Sequence, residues 1–413
     1  MRREGSRSDN KVSWLNRNVA GMALTSFLSD AGHEMVTAVL PGFLGTIGVA
    51  ASALGWIEGV SDAASSFVKL GAGWYSDRIG RRKGIVTLGY FLTGSALALF
   101  ALAVSWPLVL LGRVVSWFGR GIRGPLRDAM LSESVPAEAR GKAFGFHRAG
   151  DTLGAIAGPL LGMGLLWVLP VEEPSAPFRV IFILSLVPGL ASVITFAALV
   201  RERRRSADPR LRFWGALRNL PRSYSRFLRG VGLFGMGDFS HTLLILAAST
   251  LLTPAFSLVG ATRAAMLLYT FRNVLYAAAS FPIGALADRI ERRKLLAVGY
   301  SIGAITAFGT AALFAFNLSS LPALYALFAL AGSYIAIEDA LEGAIPADLV
   351  PIEHRGTAYG LMGTVNGIGD LIASTLVGTL WTAVSPAAAF SAAGALMLLG
   401  TGEVARNCRE RPR

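Results

Sequence analysis

The chain has 413 residues and a formal net charge of +13, and 53% of its residues are hydrophobic while only 16% are charged, against about one quarter charged in a soluble domain. That polar deficit excludes an ordinary water-soluble enzyme. The excess positive charge does not read as a nucleic-acid footprint either, because it is confined to particular loops between apolar runs of about twenty residues, the length that crosses a bilayer core.

Taken in order, residues 1–18 form a polar, basic tail with no cleavage pattern after a short apolar core, so they read as a cytoplasmic tail and not as a signal peptide. Twelve apolar spans are expected at 19–43, 54–75, 84–104, 107–131, 142–169, 178–200, 230–253, 263–287, 294–316, 321–345, 356–383 and 386–404. All must be helical, since lipid offers an open backbone no partner. Residues 201–229 are the only long polar connector and carry ten arginines against Glu202 and Asp208. They divide the chain into a six-span unit, 19–200, and a second, 230–404, followed by a tail at 405–413. Cys408, the single cysteine, permits no internal disulfide or multi-cysteine metal site.

Loop charge sets the expected orientation. Turns 44–53, 105–106, 254–262, 317–320 and 384–385 contain no Lys or Arg. The alternate loops carry Arg78, Arg81, Arg82 and Lys83, then Arg140 and Lys142, then Arg289, Arg292, Arg293 and Lys294, then Arg355. By the positive-inside rule this set and both termini are cytoplasmic. The localisation read from it is a multi-pass protein of a bacterial inner membrane, and the connector's arginines could hold anionic membrane lipids.

The two units repeat. Gly73-Trp-Tyr-Ser-Asp77-Arg78-Ile-Gly80-Arg81-Arg82-Lys83 returns as Gly284-Ala-Leu-Ala-Asp288-Arg289-Ile-Glu291-Arg292-Arg293-Lys294, at an offset of 211. Glu138-Ala-Arg140-Gly141-Lys-Ala-Phe-Gly145 returns as Glu353-His-Arg355-Gly356-Thr-Ala-Tyr-Gly360 at an offset of 215, and Asp30-Ala-Gly-His33 as Asp238-Phe-Ser-His241 at 208. The loop between spans two and three resembles the signature of the major facilitator superfamily; its second copy departs from the pattern at Glu291, where glycine is expected. The resemblance implies an all-α membrane protein of twelve transmembrane helices in two pseudo-symmetric six-helix bundles, with a site between the halves. It also implies a monomeric secondary transporter and no enzyme. By the family pattern Asp77 would hold the start of span eleven and Asp288 the start of span five. With Gly73, Arg78, Gly80, Arg81 and Arg289 they would form a conformational latch. Gly154, Gly158, Pro159 and Gly162 in span five resemble the Gly-x-x-x-Gly-Pro-x-x-Gly motif of the family's exporters. Arg113 resembles the arginine of its fourth-helix motif, although Trp117 stands where that motif has glycine.

Ionisable side chains inside a bilayer are costly and face cavities or partners. Asp30 lies about 16 Å into span one at ~1.5 Å per residue, with His33 and Glu34 on the same face. Asp238 and His241 occupy the matching depth of span seven. These five groups are the expected substrate or proton site. Two alternatives stand beside it. In one, Asp30, His33, Asp238 and His241 bind a divalent transition metal as substrate, as ferroportin-like exporters of this superfamily do on the corresponding helices. In the other they are structural, each bonded within its own half. No further cofactor is expected. In span four, Arg120, Arg123 and Arg127 form a stripe, and span ten carries Glu338, Asp339 and Glu342. The 215 offset matches Arg123 with Glu338 and Arg127 with Glu342, which suggests gating ion pairs between the halves. Binding of an anionic substrate is the alternative use of these arginines, and snorkelling or local pairing a third. Arg148 is placed to pair with Asp151 at i+3, while Glu58, Asp62 and Lys69 are weaker candidates in span two. No phosphate-binding loop or hydrolase motif occurs. Energy is therefore expected from an ion gradient, through protons, for export of a small molecule. A membrane sensor or scaffold that kept the fold without transport is the reading from a different class.

Overall fold

A computed structural model describes residues 14–79, 81–136, 139–170, 173–202, 221–287, 289–351 and 355–409, with the backbone alone described at 73–79, 355–357 and 407–409. The first half comprises α1 (Arg17–Thr46), α2 (Ala51–Ile79), α3 (Lys83–Ala96), α4 (Trp106–Glu133), α5 (Arg140–Val168), α6 (Ala176–Leu184) and α7 (Leu186–Leu199). The second comprises α8 (Arg222–Gly235), α9 (His241–Leu252), α10 (Leu258–Ala287), α11 (Arg292–Ala315), α12 (Leu321–Leu349), α13 (Arg355–Ala383) and α14 (Pro386–Arg409). The helices α6 and α7 together form the sixth span, and α8 and α9 the seventh, so the described residues make twelve spans, and the start of α1 and the end of α14 lie at one face, here the terminal face.

The starts of the helices are written locally. The Asn16 side chain accepts hydrogen bonds from the Asn18 and Val19 amides at the start of α1, at 2.9 and 3.1 Å. Ser320 caps α12 ahead of Pro322, and Pro107 sits in the first turn of α4, where a missing N–H costs nothing. Seven described segments are long and apolar enough to cross a membrane. Those that fall short include α1, α2 and α4, whose apolar runs are interrupted by the charges that build the centre of the molecule.

Span seven departs from the expected continuous helix. It breaks between Gly235 and His241, and Asp238 sits in the break. Gly235 and Gly237 weaken the helix, and Ser240 restarts it by accepting from the Thr242 amide. Its first segment begins at Arg222, inside the stretch expected to be linker; residues 203–220 of that linker lie outside those described. Span three likewise ends in a 3-10 stretch, Leu97–Leu102.

Two seams join the halves. At one, α2 lies along α13, where a Cβ on Gly55 would stand 2.3 Å from the Ser374 carbonyl oxygen. At the other, α5 faces α10. Near the face opposite the termini this seam is tight: Gly162 meets Met266, and Gly42 of α1 meets Thr262. Toward the terminal face it parts. Outward surfaces carry large apolar side chains such as Val104, Val168 and Phe281, each more than 80% exposed, which is the signature of a lipid-facing wall.

Candidate transport cavity

The centre is built on α1 and α4. Asp30, His33 and Glu34 are buried on one face of α1. The Asp30 carboxylate accepts from Arg120 Nη2 at 2.7 Å and lies 3.7 Å from Arg123, so one anion is shared by two cations spaced i, i+3 on α4. The Arg123 guanidinium also lies 4.2 Å from the ring centroid of Tyr90. Further along α4, Arg113 donates to Glu58 and to Thr37, each at 2.9 Å, with both members of the ion pair essentially inaccessible. Trp117 stands between these arginines. Its ring lies 5.6 Å from Arg113 and 5.1 Å from Arg120, with His33 edge-on at 5.4 Å.

The second half closes on this wall through neutral donors. Tyr269 donates to Glu34 at 2.8 Å and stacks on His241 at 5.1 Å. The Asn273 amide donates to the Ala155 carbonyl at 3.0 Å, and Ser240 donates to Glu58 at 3.4 Å. Asp238 accepts from Tyr334 at 2.9 Å, and Glu342 accepts from Tyr300 and, at 2.7 Å, from Asn366.

Two adjoining chambers lie between these walls. The larger, about 520 Å³, is on the terminal side and includes Asp30, Glu34, Arg120, Arg123, Arg127 and Arg272 in its lining. The smaller, about 210 Å³, is lined in part by Glu58, Asp62, Asp238 and Asp370. Trp117, His241, Arg272 and Ile335 border both. A broken helix and paired charge around a cavity of several hundred Å³ between two repeats is transporter geometry.

The sequence model of the Major Facilitator Superfamily matches residues 22–262 and 239–410, which together span both bundles. The chain belongs to the Major Facilitator Superfamily. An uncharacterized MFS-type transporter of Methanocaldococcus jannaschii is 33% identical over 379 residues, 91% of each chain. A multidrug resistance protein B homolog of Mycobacterium tuberculosis is 27% identical over 232 residues, 55% of this chain and 41% of that protein. Among solved structures, a bacterial homolog of the human lysosomal transporter Spinster, inward-facing and unoccupied, superposes with a TM-score of 0.73 at 17% identity, covering 99% of this chain and 100% of that one. The protein is an integral multi-pass membrane transporter of this superfamily, with a small-molecule substrate and no enzymatic activity.

Within that superfamily frame the expected residues fall out unevenly. Asp30, Glu34 and His241 line the larger chamber, and Asp238 and His241 the smaller. His33 lines neither; it is buried against Trp117. Among the described residues no three His, Cys, Asp or Glu side chains gather as metal ligands, so the divalent-metal alternative has no assembled donor set here. The expected pairs Arg123–Glu338 and Arg127–Glu342 are not formed. Arg123 turns to Asp30, Arg127 pairs with Asp128 at 2.9 Å, and Glu342 is held by Tyr300 and Asn366 inside its own half. Among the described residues the ion pair that crosses is Arg148–Asp339 at 3.3 Å, with Tyr276 bonded to both. Asp151 therefore does not take Arg148; it faces His147 at 3.6 Å. Glu58, read as a weak candidate, is the partner of Arg113.

The glycines at 154, 158 and 162 pack α5 on α1. A Cβ on Gly154 or Gly158 would lie 2.5 Å from the Phe27 or Ala31 carbonyl oxygen, while Gly162 faces Met35 and Met266. Of the latch, Gly73, Asp77 and Arg78 are described by their backbone alone, and Gly80 and Asp288 lie outside the described residues; Arg81 and Arg289 are exposed. Arg272, Tyr269, Tyr334 and Asp370 were missed. Arg272 and Asp370 sit mid-span, so the rule that found Asp30 applied to them as well. The tyrosines carry no such signal.

Proposed function

We propose that the chain exports a small molecule from the cytoplasm in exchange for protons, by rocking its two bundles about the central chambers. The observation that carries this reading is the Asp30 carboxylate shared between Arg120 and Arg123 on the wall of the larger chamber. A proton on Asp30 cancels the charge that holds both arginines, so proton uptake and rearrangement of the wall become one event. Glu34 adds a second acceptor whose protonation loosens a direct tie between the halves, its bond from Tyr269. Parting of the α5–α10 seam on the terminal side supports a cavity accessible from the cytoplasm, given the basic loops on that face. Export draws support from the α5 glycine motif and from the multidrug-resistance relative. One chain supplies both halves of the cavity, so we take the unit to be a monomer in the lipid of a bacterial inner membrane.

The test uses full-length protein in liposomes that trap a pH-sensitive dye, challenged with organic anions, cations and neutral compounds in turn. One class should drive lumenal pH change together with its own movement, and Asp30→Asn should move the compound without the proton or not at all. Compound flux with no proton movement in the wild type overturns the coupling. Absence of any flux, with no alternating reactivity of single cysteines placed at each face, would favour the sensor.

A further inference from the structure

Three polar side chains border both chambers, and each has a polar atom with no partner among the described residues. Arg272 is 8% exposed, and its only described hydrogen bond is to neutral Asn273 at 2.9 Å. Among the described residues no carboxylate lies within ion-pair distance of it, although Asp238 and Asp370 line the same smaller chamber. Trp117 Nε1 and His241 Nε2 are buried with no partner among the described residues. Nearby in the larger chamber, Arg123 is 3% exposed, its Nε and Nη1 have no hydrogen-bond partner among the described residues, and it must share Asp30 with Arg120. The lining of that chamber holds six cations, Lys69, Arg120, Arg123, Arg127, Arg148 and Arg272, against four carboxylates. A desolvated guanidinium without a counter-charge is unfavourable, and unpaired buried donors add to the cost.

We propose that the throat between the chambers, formed by Arg272, Trp117 and His241 with Arg123 behind them, binds the anionic oxygen group of the substrate, so the transported molecule is a small organic anion. The proposal rests on reading the chambers as a transport site. The planar guanidinium fork of Arg272 presents paired donors that fit a carboxylate or phosphate edge. The indole N–H supplies a third donor from the opposite half, so the ligand ties α4 to α10. This gives a physical role to the departure from the superfamily's fourth-helix motif: glycine at position 117 would leave the throat without its indole. The acidic walls of the smaller chamber do not compete for this group. Glu58 is neutralised by Arg113, Asp238 is held by Tyr334, and the remaining carboxylates repel an anion back toward the throat.

The test is equilibrium binding to the purified full-length protein in neutral detergent, read by thermal unfolding. It needs neither vesicles nor a proton gradient, so loss of proton coupling leaves it standing and failure here leaves the coupling untouched. The probes are benzoate, phenyl phosphate, benzamide, benzylamine and dioleoylphosphatidylglycerol in mixed micelles. Benzoate or phenyl phosphate should stabilise the wild type in a saturable way, and benzamide and benzylamine should not. Arg272→Gln should weaken that binding by about tenfold or more, the scale of a lost charged hydrogen bond, and Trp117→Phe by several-fold. Without ligand, Arg272→Gln should unfold no earlier than the wild type, because it removes an unpaired buried cation; a purely structural arginine gives the opposite. Tighter binding of benzylamine, stabilisation by the lipid alone, or unchanged anion affinity in Trp117→Phe each overturns the proposal.

Discussion

Arg113 and Glu58 form an ion pair that is almost completely withdrawn from water, with Thr37 taking one further guanidinium bond. Removing one partner of such a pair strands the other, at about 3–5 kcal/mol, whereas replacing both with apolar groups of similar volume is near neutral. Denaturation in detergent should therefore show Glu58→Leu and Arg113→Met each strongly destabilised, with the double variant recovering most of the loss. Additive losses would mean that the pair is not coupled. Asp30 was legible in the sequence for the same electrostatic reason that makes this pair stable: a mid-span charge has few tolerable surroundings. Arg272 and Asp370 obey that rule too, but Arg272 stands outside the three repeated motifs that drew the reading to spans one and seven. Partner choice was not legible. Sequence spacing gives depth and helix face, but not which neighbour faces it. Glu342 ended on a tyrosine hydroxyl, Arg123 on Asp30 and a tyrosine ring, and Arg127 on Asp128, in place of the cross-half pairs Arg123–Glu338 and Arg127–Glu342 expected from the repeat offset and charge sign.

At the level of elements, the twelve spans could be read from apolar run length because the bilayer fixes that length. Their interruptions could not. The break at 236–240 depends on two glycines and a serine cap, which score as ordinary apolar-run residues until the helix must choose a path around the cavity. The α1–α5 packing shows the opposite case, where a local motif does dictate the contact. Gly150, Gly154 and Gly158 recur every four residues, and a Cβ on any of them would stand 2.5 Å from a carbonyl oxygen of α1, at Ala23, Phe27 and Ala31 respectively. Such a stripe lets two backbones touch. Because α1 carries Asp30 and Glu34, its seat on α5 sets where those carboxylates enter the chamber. Gly154→Val and Gly158→Val should each lower stability by about 1–3 kcal/mol, the usual range for overpacking, and should weaken proton-coupled flux. Gly164→Val, on the same helix but with nothing within 4 Å of its Cβ, is the control and should leave the melting curve in detergent unchanged. Equal effects at 158 and 164 would remove the packing argument.

Across the whole molecule the two seams are related by the repeat but are not used alike. The α2–α13 seam is close at both ends, from Gly55 against Ser374 to Gly360 against Leu70. The α5–α10 seam is close only away from the termini, and toward the terminal face it leaves a groove of about 810 Å³ lined by α5, α10 and α12. One strap crosses there, with Arg148 of α5, Tyr276 of α10 and Asp339 of α12 bonded in a ring at 2.7–3.3 Å. Its ion pair is more than half exposed on the arginine side and half on the aspartate side, so it is worth no more than about 1 kcal/mol. That is the right scale for a gate, since 1 kcal/mol changes a two-state ratio only about fivefold and neither state is locked. Spin labels at Gly145 and Phe281, on the two sides of the groove, report its width. Asp339→Asn should shift the distance distribution toward the wider state by a factor of a few. Tyr276→Phe should do so less, because the direct Arg148–Asp339 contact survives it. The exchanged pair Arg148→Asp with Asp339→Arg should restore the original distribution, provided the strap acts through its charge and not through the shape of either side chain. A distribution that ignores Asp339→Asn, or a swap that fails to restore it, would leave the groove open for reasons other than this strap.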